Sequence, residues 1–240
     1  MTSMGVFSAQ YALLLLLVSS AGQALAVDPV WSTVAPIPTA RRECAAVAVG
    51  GTIYVIGGYG PDYANILSTV EAYDTATTTW TTKASLPVPT RGIQSSGLSI
   101  GGTIYVAGGF PALYGCCSAT LWAYDTATDT WKAESLMPTP RGVASAVRAQ
   151  DKVFVIGGYN GFFLSTVEIY DPSTGTWATA APMPTGREGL AVAVAGGAIY
   201  AIGGGGLSSR ATPPSKPTTP WQTHGQRKRA CPCRWWTAVP

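Results

Sequence analysis

A short apolar run that ends in two glycines occurs four times along the chain, at residues 52–58, 103–109, 152–158 and 198–204. The first copy reads Thr-Ile-Tyr-Val-Ile-Gly-Gly. β-Branched and aromatic residues dominate each run, so each predicts a short buried strand. The first glycines of the pairs lie 51, 49 and 46 residues apart. A period of about 50 residues is typical of repeat architectures, so the sequence predicts a chain of similar structural units.

Each glycine pair is expected where the backbone adopts a positive φ or where another backbone comes close. The pairs are Gly57 with Gly58, Gly108 with Gly109, Gly157 with Gly158, and Gly203 with Gly204.

A tyrosine and a tryptophan follow each of the first three glycine pairs. The tryptophan is seven residues beyond the tyrosine in every repeat, whereas the distance from first glycine to tyrosine is 16, 16 and 13 residues. Because loops tolerate changes in length and packed strands do not, the variation indicates a loop between the second and third strands. The residues are Tyr73 with Trp80, Tyr124 with Trp131, and Tyr170 with Trp177.

A proline-rich link precedes the first strand of each repeat, and prolines cannot donate to a strand ladder. Gly-Gly at positions 50–51, 101–102 and 196–197 suits a two-residue hairpin turn between the first and second strands. The third repeat has Gln150-Asp151 there, which is a poorer turn. Each repeat is therefore predicted to form four short antiparallel strands.

The paired glycines, the downstream tyrosine and the tryptophan at fixed spacing resemble the kelch repeat, over residues 31–204. The resemblance implies an all-β fold, a kelch-type β-propeller of four-stranded antiparallel blades. It also implies that the tryptophans pack between blades and that the glycine pairs lie where blades meet.

The repeats span about 31–80, 80–131 and 131–177, and half of a fourth follows at 177–206. Kelch propellers usually have six or seven blades, so we expect a partial propeller from a truncated or frame-shifted reading. A short propeller that closes by oligomerisation is the alternative, and open blade edges are expected to favour self-association.

The two ends of the chain differ in composition from the repeats. Residues 1–26 have the apolar segment and the Ala-Leu-Ala site of a secretory signal peptide, so we expect a secreted, extracellular or periplasmic protein with no membrane span after cleavage. Residues 27–206 form the repeat region. Residues 207–240 are basic and proline-rich, and we expect them to be disordered.

The formal net charge of +3 arises in the tail, which has six basic residues and no acidic one. The rest of the chain has nine basic and twelve acidic residues, so a nucleic-acid partner is not expected. The only histidine is His224 in the tail, so we expect no metal and no cofactor. The copper site of galactose-oxidase-like kelch proteins needs two histidines, and this sequence does not provide them.

The arginines at the end of each proline-rich link are interpreted as one position in four repeats, on the same face as the aromatic residues that follow the glycine pairs. Arginine beside aromatic rings suits carboxylates, peptides or sugars, so the predicted ligand is an acidic protein or glycan. The alternative is that each arginine holds a neighbouring loop through its backbone carbonyls. The candidate ligand-binding residues are Arg41, Arg91, Arg141, Arg187, Tyr59, Phe110 and Tyr159.

The sequence favours an exported kelch binding module for a protein or glycan over an enzyme, and it offers no catalytic set of nucleophile and base. The alternative is a fragment of a sugar-active kelch enzyme, similar to sialate mutarotases or to a galactose-oxidase-like propeller without copper. In that case Glu43 and Glu188, which follow two of the arginines, are the candidate acid and base.

Overall fold

The structure, a computed structural model, describes residues 32–61, 65–113 and 115–206. These residues form fourteen β-strands and contain no helix. The predicted signal peptide at 1–26 and the predicted disordered tail at 207–240 lie outside the described residues. Contacts divide the chain into residues 1–34 and 35–240, and all of the strands belong to the second unit.

Three four-stranded antiparallel sheets follow one another along the chain, and each is called a blade below. Blade 1 contains β1 (Ala45–Val49), β2 (Thr52–Ile56), β3 (Val70–Asp74) and β4 (Thr79–Lys83). Blade 2 contains β5 (Gly97–Ile100), β6 (Thr103–Ala107), β7 (Leu121–Asp125) and β8 (Thr130–Ala133). Blade 3 contains β9 (Ser145–Ala149), β10 (Lys152–Ile156), β11 (Val167–Asp171) and β12 (Thr176–Ala180).

A two-stranded hairpin follows blade 3 and consists of β13 (Ala191–Ala195) and β14 (Ala198–Ile202). The first strands β1, β5, β9 and β13 lie side by side in that order. This arrangement confirms the predicted all-β fold of consecutive kelch-type blades, with three complete blades and half of a fourth.

The hydrophobic core lies between blades. Successive side chains of a strand lie on opposite faces of the sheet, so residues two apart share a face. Tyr54 and Ile56 of blade 1 accordingly pack with Ile104 and Val106 of blade 2. A second cluster joins blades 2 and 3, and a third joins blade 3 to the β13–β14 hairpin. Each complete blade therefore depends on a neighbour to bury its apolar residues.

The first glycine of each of the first three pairs lies where the next repeat comes close. A Cβ added to Gly57 would be 2.6 Å from the Thr90 carbonyl oxygen, and a Cβ added to Gly108 would be 2.1 Å from that of Arg141. The second glycines donate to the same carbonyls, at 2.8 Å from Gly58 to Thr90 and 2.9 Å from Gly109 to Arg141. Only glycine combines this approach with the positive φ observed at these positions.

Each tryptophan of the repeat contacts the tyrosine of its own blade and the link that precedes this blade. Trp131 pairs with Tyr124 across β7 and β8, with ring centroids 4.9 Å apart. Its indole N–H donates to the carbonyl of Ala84 in the preceding link at 2.8 Å. The tryptophans of blades 1 and 3 make the same contacts, from Trp80 to Ala35 and from Trp177 to Ser135.

The Gln150-Asp151 turn keeps the geometry of the glycine turns although it lacks glycine. Both residues adopt the left-handed backbone conformation, with φ of 50° and 55°, and this conformation is unfavourable for residues that carry a side chain.

Gln150→Gly should therefore raise the free energy of unfolding by about 1 kcal/mol, measured by urea titration. Gly50→Gln is the matched reverse change in blade 1, at φ 53° with open space around the added Cβ. Gly50→Gln should lower the free energy of unfolding by a similar amount. If both variants were as stable as the unmodified protein, the left-handed turn residues would not be strained.

Asp129 joins blade 2 to blade 1. Its carboxylate accepts hydrogen bonds from the Tyr124 hydroxyl at 2.5 Å and from the Ala84 backbone N–H at 2.8 Å. The bond from Tyr124 is the main reason why the pKa of Asp129 is lowered, and the bond from Ala84 adds to it. Desolvation and the same carboxylate raise the pKa of Tyr124.

Because the pKa of Asp129 is lower in the folded protein than in the unfolded chain, its ionised form favours folding. This contribution is complete above the unfolded pKa of about 4 and disappears as the pH falls through the folded value. Asp129→Asn should therefore show a smaller loss of stability between pH 7 and pH 3 than the unmodified protein. Urea midpoints at the two pH values measure this, and an identical loss in both proteins would exclude the linkage.

Candidate binding face formed by arginine and aromatic side chains

Arg41 and Arg141 lie inside their blades and each forms an ion pair with a buried glutamate of the third strand. Nη2 of Arg41 lies 2.7 Å from Glu71 and Nη2 of Arg141 lies 2.8 Å from Glu168. The side chain of Arg141 is fully buried. Desolvation by burial lowers the pKa of Arg141, and the neighbouring carboxylate opposes the shift.

The Nη1 donors of these arginines bind backbone carbonyls near the glycine pairs. Nη1 of Arg141 donates to Gly157 at 2.9 Å and to Thr166 at 3.2 Å. Thr139 completes the site by donating to Glu168 at 2.6 Å. These contacts hold the loop after β10 in place, and they leave Arg141 little capacity for an external ligand.

Blade 2 has a different pair of residues at these two positions. The Thr90 carbonyl accepts a hydrogen bond from Gly58 of the preceding blade, just as the Arg141 carbonyl accepts one from Gly109. Thr90 therefore occupies the place of Arg141. Trp122 occupies the place of the glutamates, opposite Val106 on β6. Arginine and glutamate are therefore absent together from blade 2, so no buried charge is left without its partner.

This arrangement corrects the expectation that the four arginines share one position. Arg91 lies one residue beyond Thr90 and is equivalent to Arg42 and Gly142, because each of these forms a bridge with the residue after its glycine pair. The spacing from arginine to first glycine is 17 residues for Arg91 and 16 for the other three, whereas the equivalent Arg42 and Gly142 lie 15 residues before their first glycines. The segment after Arg91 is therefore two residues longer. Arg187 keeps the position of Arg141 and donates to the Gly203 carbonyl at 2.8 Å.

Arg91 lies between two aromatic rings that belong to different blades. Its guanidinium carbon is 4.7 Å from the ring centroid of Tyr59 and 4.8 Å from that of Phe110. Its Nη1 lies 3.5 Å from the Glu43 carboxylate, and its Nη2 donates to the Leu113 carbonyl at 3.3 Å. Cation–π contacts of this kind fix the plane of the guanidinium. We call these four side chains, Glu43, Tyr59, Arg91 and Phe110, the arginine–aromatic face.

Glycines in the links before blades 2 and 3 make room for Phe110. A Cβ added to Gly142 would be 2.2 Å from the Phe110 ring, and one added to Gly92 would be 2.8 Å from it. Tyr159 holds the equivalent place in blade 3, where its ring packs against Phe163 at 5.5 Å. The loops after the glycine pairs therefore lie beside the entries to the first strands, as the sequence predicts.

The two glutamates considered as acid and base lie in different surroundings. Glu43 is partly exposed beside Arg91. Desolvation raises the pKa of Glu188, whose backbone pairs with Gly205. Two further carboxylates, Glu71 and Glu168, are buried, and neither was among the residues expected from the sequence, although both stand two residues before the tyrosine of their repeats.

A sequence profile described as the KLHDC2/KLHL20/DRC7 Kelch-repeats domain matches residues 27–204. The chain belongs to the kelch-repeat family. This confirms the resemblance that the glycine pairs, tyrosines and tryptophans suggest.

Three similar proteins illustrate the range of kelch relatives. Kelch-like protein 35 of Mus musculus is 34% identical over 128 residues, which cover 53% of this chain and 21% of that protein. Beta-scruin of Limulus polyphemus is 31% identical over 133 residues, covering 53% and 14%. Kelch-like protein 23 of Homo sapiens is 34% identical over 134 residues, covering 55% and 23%. The matched part of the chain thus spans less than a quarter of each relative's length.

These relatives correct the predicted location. Most are Kelch-like proteins, which are typically intracellular, so the expectation of a secreted, extracellular or periplasmic protein is wrong. They suggest a protein-binding kelch module, and they give no support to a glycan ligand or to self-association. In the part of the chain that the structure describes, no helix has the length and apolar character needed to cross a bilayer.

Removal of one member of a buried ion pair should destabilise the protein. Arg141→Met leaves the Glu168 carboxylate buried without its charge partner, so we expect a loss of about 3–5 kcal/mol of unfolding free energy in urea titrations. Arg141→Met combined with Glu168→Leu should lose less than the single change, because no buried charge remains.

Arg148→Met is the matched control, since that side chain is about half exposed, and it should change stability by less than about 0.5 kcal/mol. If Arg141→Met were as stable as this control, the ion pair would have no structural role.

Proposed function

We propose that this chain is a protein-binding kelch module and that the arginine–aromatic face contacts its partner. The observation that supports this proposal is the position of Arg91 between the rings of Tyr59 and Phe110, which come from two blades. Arginine and tyrosine are the residue types that most often dominate binding energy at protein interfaces. The kelch relatives also suggest a protein-binding role.

The geometry of Arg91 suits an acidic side chain of the partner. Its ion pair with Glu43 is long, at 3.5 Å, and the Glu43 side chain is 37% exposed. A carboxylate of the partner can therefore replace Glu43 without the removal of a buried contact. The two rings hold the guanidinium plane in place, so little conformational entropy is lost when a planar carboxylate binds its fork.

Apolar residues of nearby loops extend this surface. Leu113 follows Phe110 in the loop of blade 2 and is 37% exposed, and Phe162 in the loop of blade 3 is 68% exposed. Exposed aromatic and aliphatic side chains beside a fixed arginine are typical of interface centres. Because these loops differ in length and sequence between repeats, they are suited to determine which partner binds.

Arg91→Ala tests the proposal. Peptides selected from a displayed random library on the full chain should bind Arg91→Ala at least about tenfold more weakly than the unmodified protein, measured by fluorescence anisotropy. Arg91→Lys should also weaken binding, because lysine keeps the charge but loses the planar fork. The affinity should decrease as salt increases.

Arg148→Ala removes the same charge from the β9–β10 hairpin and is the control for net charge. It should leave the affinity unchanged, and none of the three variants should greatly lower the melting temperature. If Arg91→Ala bound the selected peptides as tightly as the control, the face would not be the binding site.

A further inference from the structure

The β13–β14 hairpin has the same sequence pattern and the same pairing as the first half of a complete blade. In blades 1 to 3 the second strand pairs on its outer side with a third strand. Within residues 32–61, 65–113 and 115–206, β14 pairs only with β13. Its outer edge thus presents the backbone groups that its counterparts use to bind a third strand.

The hairpin also exposes apolar surface that is covered in the complete blades. Ile202 is 50% exposed, whereas Ile56 and Ile156 at the equivalent positions are 0% and 3% exposed. A Cβ added to Gly203 would meet nothing within 4 Å, although one added to Gly57 would be 2.6 Å from a backbone oxygen of the next blade.

Arg187 indicates which kind of strand suits this edge. It is equivalent to Arg41 and Arg141, which form ion pairs with Glu71 and Glu168 on the third strands of their blades. Arg187 keeps the bond to the carbonyl of the first glycine, at 2.8 Å. Among the described residues it has no carboxylate partner. Its Nη2, the atom that binds glutamate in Arg41 and Arg141, lies 3.7 Å from the Met183 sulfur instead.

The segment that follows the hairpin does not provide the missing charge. No aspartate or glutamate occurs in the sequence after Glu188. A folded second copy does not provide it either, because β3 and β11, which contain Glu71 and Glu168, are paired on both sides within their own blades. A strand of another protein can supply the carboxylate that matches Arg187.

We propose that the edge of β14 binds an extended strand of another protein, with the pattern apolar–Glu–apolar–Tyr, and that its glutamate pairs with Arg187. The register follows from the complete blades, where Glu71 lies opposite Val55 and Glu168 opposite Val155. The glutamate of the bound strand then lies opposite Ala201. Backbone hydrogen bonds supply affinity in this mode of binding, and the side-chain sites supply specificity. The proposal does not depend on the arginine–aromatic face.

A peptide with the sequence of residues 164–181 of this chain is a suitable probe, because it contains the third and fourth strands of blade 3. The full chain should bind this peptide in a 1:1 complex, measured by fluorescence anisotropy and analytical ultracentrifugation. The matched peptide with Glu168→Gln should bind about tenfold more weakly, because a charge-assisted hydrogen bond is lost. In the Arg187→Gln variant of the protein, the two peptides should bind with equal affinity.

Amide hydrogen exchange locates the bound peptide, and it should show protection of residues 198–202. Because the peptide pair is compared on the unmodified protein, the result does not depend on the stability of the Arg187→Gln variant. Equal binding of the two peptides, absence of binding, protection confined to other strands, or a chain dimer that the peptide does not dissociate would each overturn the proposal.

Discussion

The close contact between a glycine pair and the carbonyl of the next blade is the constraint on which the other contacts between blades depend. A Cβ at Gly108 would be 2.1 Å from the Arg141 oxygen, which is far inside van der Waals contact. This approach sets the separation of the first strands and thereby the thickness of the cores between blades. The carbonyl that accepts the Gly109 N–H belongs to Arg141, which forms the buried ion pair, and the carbonyl that accepts the Gly58 N–H belongs to Thr90, which stands at that position in blade 2. Packing between blades and electrostatics within blades therefore meet at one peptide group.

The fold was predictable because the repeat signals are local. Glycine pairs, hairpin turns and the seven-residue step from tyrosine to tryptophan each specify a geometry within a few residues. The structure accordingly has the strands, the order and the antiparallel pairing that the sequence indicates. The third repeat is instructive, since Gln150-Asp151 adopts the left-handed turn without glycine. There the pairing of the two flanking strands outweighs the local preference of the turn residues.

The candidate site was predictable only in part, because its contacts join residues that are distant in sequence. The arginines stand out in the sequence, but whether each side chain lies inside its blade or on the loop face depends on a shift of one residue. Arg141 reaches Glu168 inside its blade, whereas Arg91 reaches Tyr59 in the preceding one. The joint replacement of arginine and glutamate by Thr90 and Trp122 was visible in the sequence, but its meaning required the pairing register.

The ion pair within a blade also limits how kelch repeats can be exchanged. Arg141 lies before β9 and Glu168 lies in β11, so a genetic crossover between repeats that falls in β9 or β10 would separate the two charges. If the other part came from a blade with threonine and tryptophan at these positions, as in blade 2, the hybrid blade would contain a buried charge with no partner. Folded proteins rarely tolerate such a charge. A crossover in the proline-rich links would keep each pair intact. Duplication and loss of repeats in such a gene are therefore expected to occur with boundaries in the links.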